Sequence, residues 1–276
     1  MTRSRVKNRI FSMDSPKAIK ASKFGYLNAI HYMAPYDVAG VGNLCPKASA
    51  GCRALCLGLW SGQAGMVKDS TSTSTQGNSV RQSRIDKARR FMTDRANYLL
   101  DFVRAIDNAR IRARRKRRKL CVRPNGSTDV AYEGIRFSII RNAKGKAMAI
   151  VLGGPNGRNI FDHYPLIQFV DYTKISSRFK RDLPANYSLT LSHSETNELE
   201  CLIALHQGHN VAVVFAGDKP VTWHGFTVID GDQHDLRHLD PKGVVVGLSP
   251  KGLKAKRDTS GFVVRNDISL DVALAA

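Results

Sequence analysis

Apolar positions recur along one long segment at steps of three and four residues: Ile85, Ala88, Met92, Ala96, Leu99, Val103 and Ile106. This period predicts a single amphipathic helix over 80–117. Asn78-Ser79 stands at its start and can cap the first turn. Elsewhere the apolar runs are short. Six of them predict strands, at 24–33, 119–124, 166–171, 187–192, 210–216 and 243–247. Polar groups close them, among them Asn125, Asp129, Asp171, Lys174, Ser194 and Glu195. Stretches such as Glu195 to Leu205 can be helical between strands. Alternating strands and helices predict an α/β fold with a parallel sheet or barrel. In such folds ligands bind at the carboxyl ends of the strands, where these polar residues lie. We therefore expect Asn125, Asp129, Asp171, Lys174, Ser194 and Glu195 to bind a small polar cofactor.

Two stretches break the rhythm. RFSII and AMAIVL flank RNAKGK, which predicts a β-hairpin inside an insertion at 134–160. DSTSTSTQGNS (69–79) is Ser/Thr-rich and predicts a flexible loop. Residues 1–20 are expected to be a basic flexible arm, and 21–276 a single domain.

Charge changes the picture. The chain carries 43 Lys+Arg against 23 Asp+Glu, a net +20. Such an excess repels itself unless a polyanion is near, and nucleic acid is the usual partner. Eight of the ten residues 110–119 are basic: Arg110, Arg112, Arg114, Arg115, Lys116, Arg117, Arg118 and Lys119. A helix C-terminus gains from two or three cations, not eight. We expect these residues to contact nucleic acid. No apolar run reaches the roughly 18 residues of a membrane span, and the basic N-terminus has no apolar signal core. A cytoplasmic location follows as an expectation.

Five cysteines are an odd number in a chain of this size. Cys121 and Cys201 are isolated among apolar neighbours and predict small buried residues. Cys45, Cys52 and Cys56 form C-x6-C-x3-C within NLCPKASAGCRALCLGLW. We expect them to bind metal rather than to form disulfides. A cubane iron–sulfur cluster held by three cysteines keeps one iron open. Zinc usually takes four ligands, and unliganded buried thiols are a third reading.

A strand, a cysteine loop, a long helix and further strands, in that order, resemble the radical S-adenosylmethionine barrel. That resemblance implies a six-stranded partial (β/α) barrel with an N-terminal cysteine loop and the inserted β-hairpin. It also implies S-adenosylmethionine as a cofactor. The cysteine spacing departs from that superfamily's common C-x3-C-x2-C, and Leu55 stands where an aromatic residue is usual. A second resemblance covers most of the chain. FGYLNAI, LCPKASAGCRALCL, RPNGSTD, QFVDYTK, SLTLSHSE, NVAVVF, VIDGDQHDLRHLDPKGVVVGL and SGFV look like the phage-encoded gene product 88 domain family. Residues shared with that family fall on Cys45, Cys52, Cys56, Arg123, Asn125, Asp129, Asp171, Lys174, Ser194, Glu195, Asp230, Asp232, His234, Asp235 and Arg237. The insertion is outside the resemblance. A phage or mobile-element origin, and a bacterial host cytoplasm, are what it implies.

DGDQHDLRHLD (230–240) concentrates four Asp and two His. In an extended strand Asp230, Asp232 and His234 share a side and suit a divalent cation; a polar loop paired with Arg237 is the plainer reading. Ser192, His193 and Ser194 are neighbours on a strand and cannot form a catalytic triad among themselves. GGPNG lacks the Lys-Ser/Thr of a phosphate loop. The sequence thus favours an iron–sulfur protein working on or with nucleic acid, with radical S-adenosylmethionine-like chemistry. The alternatives are a non-enzymatic nucleic-acid-binding protein with a structural metal, and a metal-dependent nuclease.

Overall fold

A computed structural model describes residues 10–14, 16–60 and 78–265. The Ser/Thr-rich loop at 69–77 and the first nine residues of the expected arm lie outside the described residues.

All six expected strands form: β2 (Tyr26–His31), β3 (Lys119–Arg123), β6 (Gln168–Thr173), β7 (Tyr187–Ser192), β8 (Val211–Ala216) and β11 (Val245–Leu248), counting β1 (Phe11–Ser12) as the first in the chain. They lie parallel and adjacent in that order. The partial (β/α) barrel is nevertheless wrong. The sheet is open and mixed, because both edges that closure would join are already occupied. On one side β1 pairs antiparallel with β2. On the other, β10 (Phe226–Asp230) pairs with β11, and β9 (Thr222–Trp223) turns back antiparallel along β10. β12 (Val263–Arg265) completes the ten-stranded sheet by pairing with the end of β8. A barrel also needs a helix behind nearly every strand. Here the link from β6 to β7 holds only a 3-10 turn at Ser176–Lys180, and the link from β8 to β11 is the β9–β10 hairpin.

The predicted long helix is two helices. α1 (Pro16–Ala21), α2 (Ala50–Ala54) and α3 (Leu57–Trp60) precede α4 (Ser79–Thr93) and α5 (Arg95–Arg115). Asn78 caps α4, its side chain accepting from the Arg81 N–H. The break falls at Asp94, which leaves helical geometry at φ −140°, ψ 56°. The change of direction sets Phe91 edge-on to Tyr98, with ring centroids 5.8 Å apart. The apolar stripe runs through the break because both helices pack on one core.

That core holds Leu27 and Ala29 of β2, Leu120 and Val122 of β3, and Tyr98, Phe102 and Ile106 of α5. Phe102 is buried, stacks on Tyr132 and meets Phe11 at 5.1 Å. Ile10 and Phe11 are therefore core residues, and α1 packs beside β2. The inserted hairpin is present as β4 (Phe137–Arg141) and β5 (Ala147–Leu152), turned at Asn142–Lys146. Phe137, Ala147 and Ile150 join the same core, and Arg104 of α5 donates to the Ala147 carbonyl. The remaining helices are short: α6 (Ile160–His163), α7 (Glu198–His206) and α8 (Leu253–Lys256).

Truncating Phe102 to Ala should cost about 3–5 kcal/mol, because both the aromatic burial and the ring contacts vanish. The control, Ile111→Ala, lies at a half-exposed position of α5 and should cost under about 0.5 kcal/mol. Urea unfolding of the two variants measures both.

Candidate functional site

The carboxyl ends of the parallel strands open into a cavity of about 230 Å³. Cys45, Cys52 and Cys56 all line it. Each is held by a separate local device. The chain turns at Tyr36, whose N–H donates to Cys45 Sγ at 3.3 Å. Asp129 N donates to the Leu44 carbonyl at 2.8 Å, which fixes the residue before Cys45. Ser49 caps α2, accepting the Cys52 N–H on its hydroxyl at 3.2 Å. Cys56 opens α3, where the Leu59 N–H donates to its carbonyl at 3.0 Å and the Gly58 amide favours its thiolate.

Two outside clamps lock this loop. Glu195 accepts from Ser49 Oγ at 2.8 Å and from Gly51 N at 2.7 Å, anchoring the first turn of α2 to the end of β7. Gly51 must be glycine here: a Cβ would lie 2.5 Å from Ser260 Oγ and 2.9 Å from Phe262 Cβ. From the other side, Arg84 donates to the Gly58 carbonyl at 2.5 Å and buried Arg81 to the Leu59 carbonyl at 2.8 Å. The α3 turn is therefore tied to α4.

Burial dominates the chemistry of the thiols. It pushes Cys45 up to about 12 and Cys56 up to about 11, and raises Cys52 as well. Thiolate charge on one cysteine raises the others further, so the three are electrostatically coupled. The N–H donors on Cys45 and Cys56 work the other way and favour thiolate. Among the described residues, no three His, Cys, Asp or Glu groups close around a single metal ion. Cys121 and Cys201 lie in apolar clusters away from the cavity.

Of the six residues expected to bind a cofactor, three line the cavity and three do not. Asn125, Asp129 and Lys174 line it. Asn125 is already spent: its side chain donates to Asp171 and the Val130 carbonyl and accepts from Thr128 and the Val130 N–H. Asp129 accepts from Lys174 N at 2.8 Å and pairs with Arg178 at 3.0 Å. Asp171 is fully buried and accepts from Asn125 N, Asn125 Nδ2 and the Tyr187 hydroxyl. Ser194 is buried against Asn197, and Glu195 is the clamp just described. These last three do not line the cavity, and their hydrogen bonds go to protein groups. Lys174 is the exception, and its side chain keeps free donors in the cavity.

His193, a polar residue closing a strand end in the sequence, lines the cavity, and so does Phe262, which was not singled out. Phe262 arrives from a distant loop, and nothing local marks it.

The acidic segment at 230–240 is not a cation site. Lys219 pairs with Asp230 at 2.6 Å and Asp232 at 3.1 Å, and Lys251 pairs with Asp232 at 3.1 Å. Arg237 pairs with Asp240, and the buried Asp235 with Arg123 at 3.3 Å. With each carboxylate facing a protein cation, the divalent-metal nuclease reading loses its ligands. The basic run is mostly at the surface. Arg110, Arg114, Arg115, Lys116, Arg117 and Lys119 are exposed, while Arg112 and Arg118 are half-buried. Arg112 does have an acidic partner, Asp14 at 2.9 Å. In the basic stretch at 177–181, Arg178 is buried between Glu133 and Asp129.

The fold and site define a class: an open, mostly parallel sheet whose strand ends carry a thiol-lined cavity roofed by a clamped cysteine loop. The chain belongs to the phage gene product 88 family, whose model matches residues 9–266. No curated protein and no solved structure gives a significant match. No helix among the described residues is long and apolar enough to cross a membrane.

Burial raises the Asp171 carboxyl to about 7, against the pull of Arg123, Arg178 and the Asn125 donors. A raised carboxyl stabilises the fold most below its unfolded value, near 4, and that contribution is lost as pH rises through 7. Asp171→Asn cannot titrate. Its stability relative to wild type should therefore improve between pH 4 and pH 7, and urea midpoints at the two values test this. Glu195→Ala should cost about 2–4 kcal/mol, as it leaves two α2 donors without their charged partner. If Glu195→Ala unfolds at the wild-type midpoint, Glu195 is not a clamp.

Proposed function

We propose that this chain is an iron–sulfur protein whose Cys45, Cys52 and Cys56 hold a cluster in the strand-end cavity. The observation that carries this is the convergence of three thiols from two loop turns on one cavity, with backbone N–H groups favouring thiolate at two of them. Such hydrogen bonds to sulfur are a common way to support cluster thiolates. Zinc suits the cavity less well. A single ion draws its ligands to about 2.3 Å, and the described residues offer no group of three at that spacing. A cluster spreads its cysteines over different metal atoms and tolerates a wider set. With three protein ligands, the fourth metal corner faces the cavity and is open to a small molecule.

Protein purified without oxygen should be brown and contain iron and acid-labile sulfide in comparable amounts. Replacing Cys45, Cys52 and Cys56 together by Ser should remove both, while Cys121→Ser should leave them intact. Colourless protein that takes up neither iron nor sulfide on anaerobic reconstitution ends this reading.

A second observation supports nucleic acid as partner. The end of α5 leaves Arg114, Arg115, Lys116 and Arg117 exposed in one run. Phosphate contacts of this kind bind without reading sequence and weaken steeply with salt. Reversing Arg114, Arg115, Arg117 and Arg118 to Glu should lower affinity for DNA or RNA by at least about tenfold at low salt, with unchanged circular dichroism. An unchanged affinity would remove this surface from the account.

A further inference from the structure

Four charged side chains line the cavity: Arg123, Asp129, Lys174 and Lys251. Three are paired: Arg123 with Asp235, Asp129 with Arg178, which Glu133 shares, and Lys251 with Asp232, which Lys219 shares. Lys174 makes no ion pair among the described residues. Its Nζ donates one hydrogen bond, to the His193 carbonyl at 3.3 Å, and sits 5.1 Å from the Phe262 ring centroid. An ammonium has three donors, so two remain unspent. His193 beside it is only 5% exposed, and its Nδ1 is buried without a hydrogen-bond partner. Its Nε2 lies 3.9 Å from Glu198, beyond hydrogen-bond reach. Burial holds this imidazole at about 4, so it is neutral at pH 7 and can donate or accept. The rest of the wall nearby is apolar, with Leu55, Val214, Leu248 and Phe262.

An ammonium with two unspent donors, beside an apolar wall, suits an organic anion. We propose that the cavity binds a small organic monocarboxylate, its carboxylate on Lys174 Nζ beside His193 and its apolar body against Phe262 and Val214. A carboxylate matches the single charge, whereas a phosphate dianion would leave one negative charge buried and unpaired. An inorganic anion would leave the apolar wall unused. This site shares the cavity of the proposed cluster but does not require the cluster.

The test is ligand-observed NMR on the full-length protein with benzoate, its uncharged isostere benzamide, and inorganic phosphate as competitor. Benzoate should bind, and benzamide should bind about tenfold more weakly, the scale of one charge-assisted hydrogen bond. Lys174→Gln should lose benzoate, and Lys174→Arg should keep it within a few-fold. The triple Cys→Ser variant should bind benzoate as wild type does, which separates this site from the metal. Equal binding of benzamide and benzoate, displacement of benzoate by phosphate, or wild-type binding by Lys174→Gln would each overturn the proposal. So would loss of benzoate from the triple Cys→Ser variant, or loss of iron from Lys174→Gln, since Lys174 would then serve the thiols. If Lys174→Gln does not fold, the benzoate–benzamide comparison on the wild type still decides.

Discussion

Asp171 is the group around which the strand ends are organised. A carboxylate with no exposure must have its charge answered by donors, or it protonates. Here Asn125 supplies two N–H donors and Tyr187 a hydroxyl. Arg178 closes the circuit by donating to the same Tyr187 hydroxyl while pairing with Asp129 and Glu133. The exit of β3, the body of β6 and the start of β7 are thus bound into one buried polar network. Its reach extends past the strands. Asn125 holds the turn through Thr128 and Val130, the turn presents Asp129 N to Leu44, and Ser127 hydrogen-bonds Met33 at 2.6 Å. The last two of those contacts end on the segment that leads to Cys45.

The cysteine loop therefore owes little to its own secondary structure. α2 and α3 are only five and four residues long, below the length at which a helix is stable alone. They persist because other elements supply partners for their exposed backbone. Glu195 takes donors from the start of α2, and Arg81 and Arg84 take carbonyls from α3. Both ends of the loop are held by charged side chains from distant parts of the chain. Removing a clamp would release the spacing of the thiols before it unfolded the sheet.

Much of this was legible in the sequence, and the failures share a cause. The strands were legible because apolar runs closed by polar residues have the same pattern in any parallel sheet. Closure was not, because it depends on which strands occupy the edges, and β1 and β9 are two-residue strands without a sequence signature. The break at Asp94 was hidden because an unbroken apolar stripe fits two helices on one core as well as one. Polar residues at strand ends were read together as ligand-binding. Asp171, Ser194 and Glu195 have the same composition signature as Lys174, but their partners are 46, 3 and 144 residues away in sequence. Only the folded chain shows which polar groups are already satisfied. The same holds for Asp230 and Asp232, whose answering cations come from Lys219 and Lys251 on neighbouring strand ends.

The state of the three thiols follows from the cost of charge in this cavity. Desolvation keeps Cys45 and Cys56 protonated at neutral pH, and each thiolate formed would raise the others. Three neutral thiols in a largely apolar wall are a stable resting arrangement. They become ligands only when a cation replaces their protons, because metal–thiolate bonding answers the charge that burial penalises. Loading must then release protons, so metal affinity should rise with pH until the thiols would ionise unaided. The N–H donors on Cys45 and Cys56 lower that cost in advance. A cavity selected merely to bury cysteines would gain nothing from donors aimed at sulfur, since a neutral thiol accepts hydrogen bonds weakly. On the proposed reading, these donors support thiolate, a role that cysteines packed only as small apolar residues would not need.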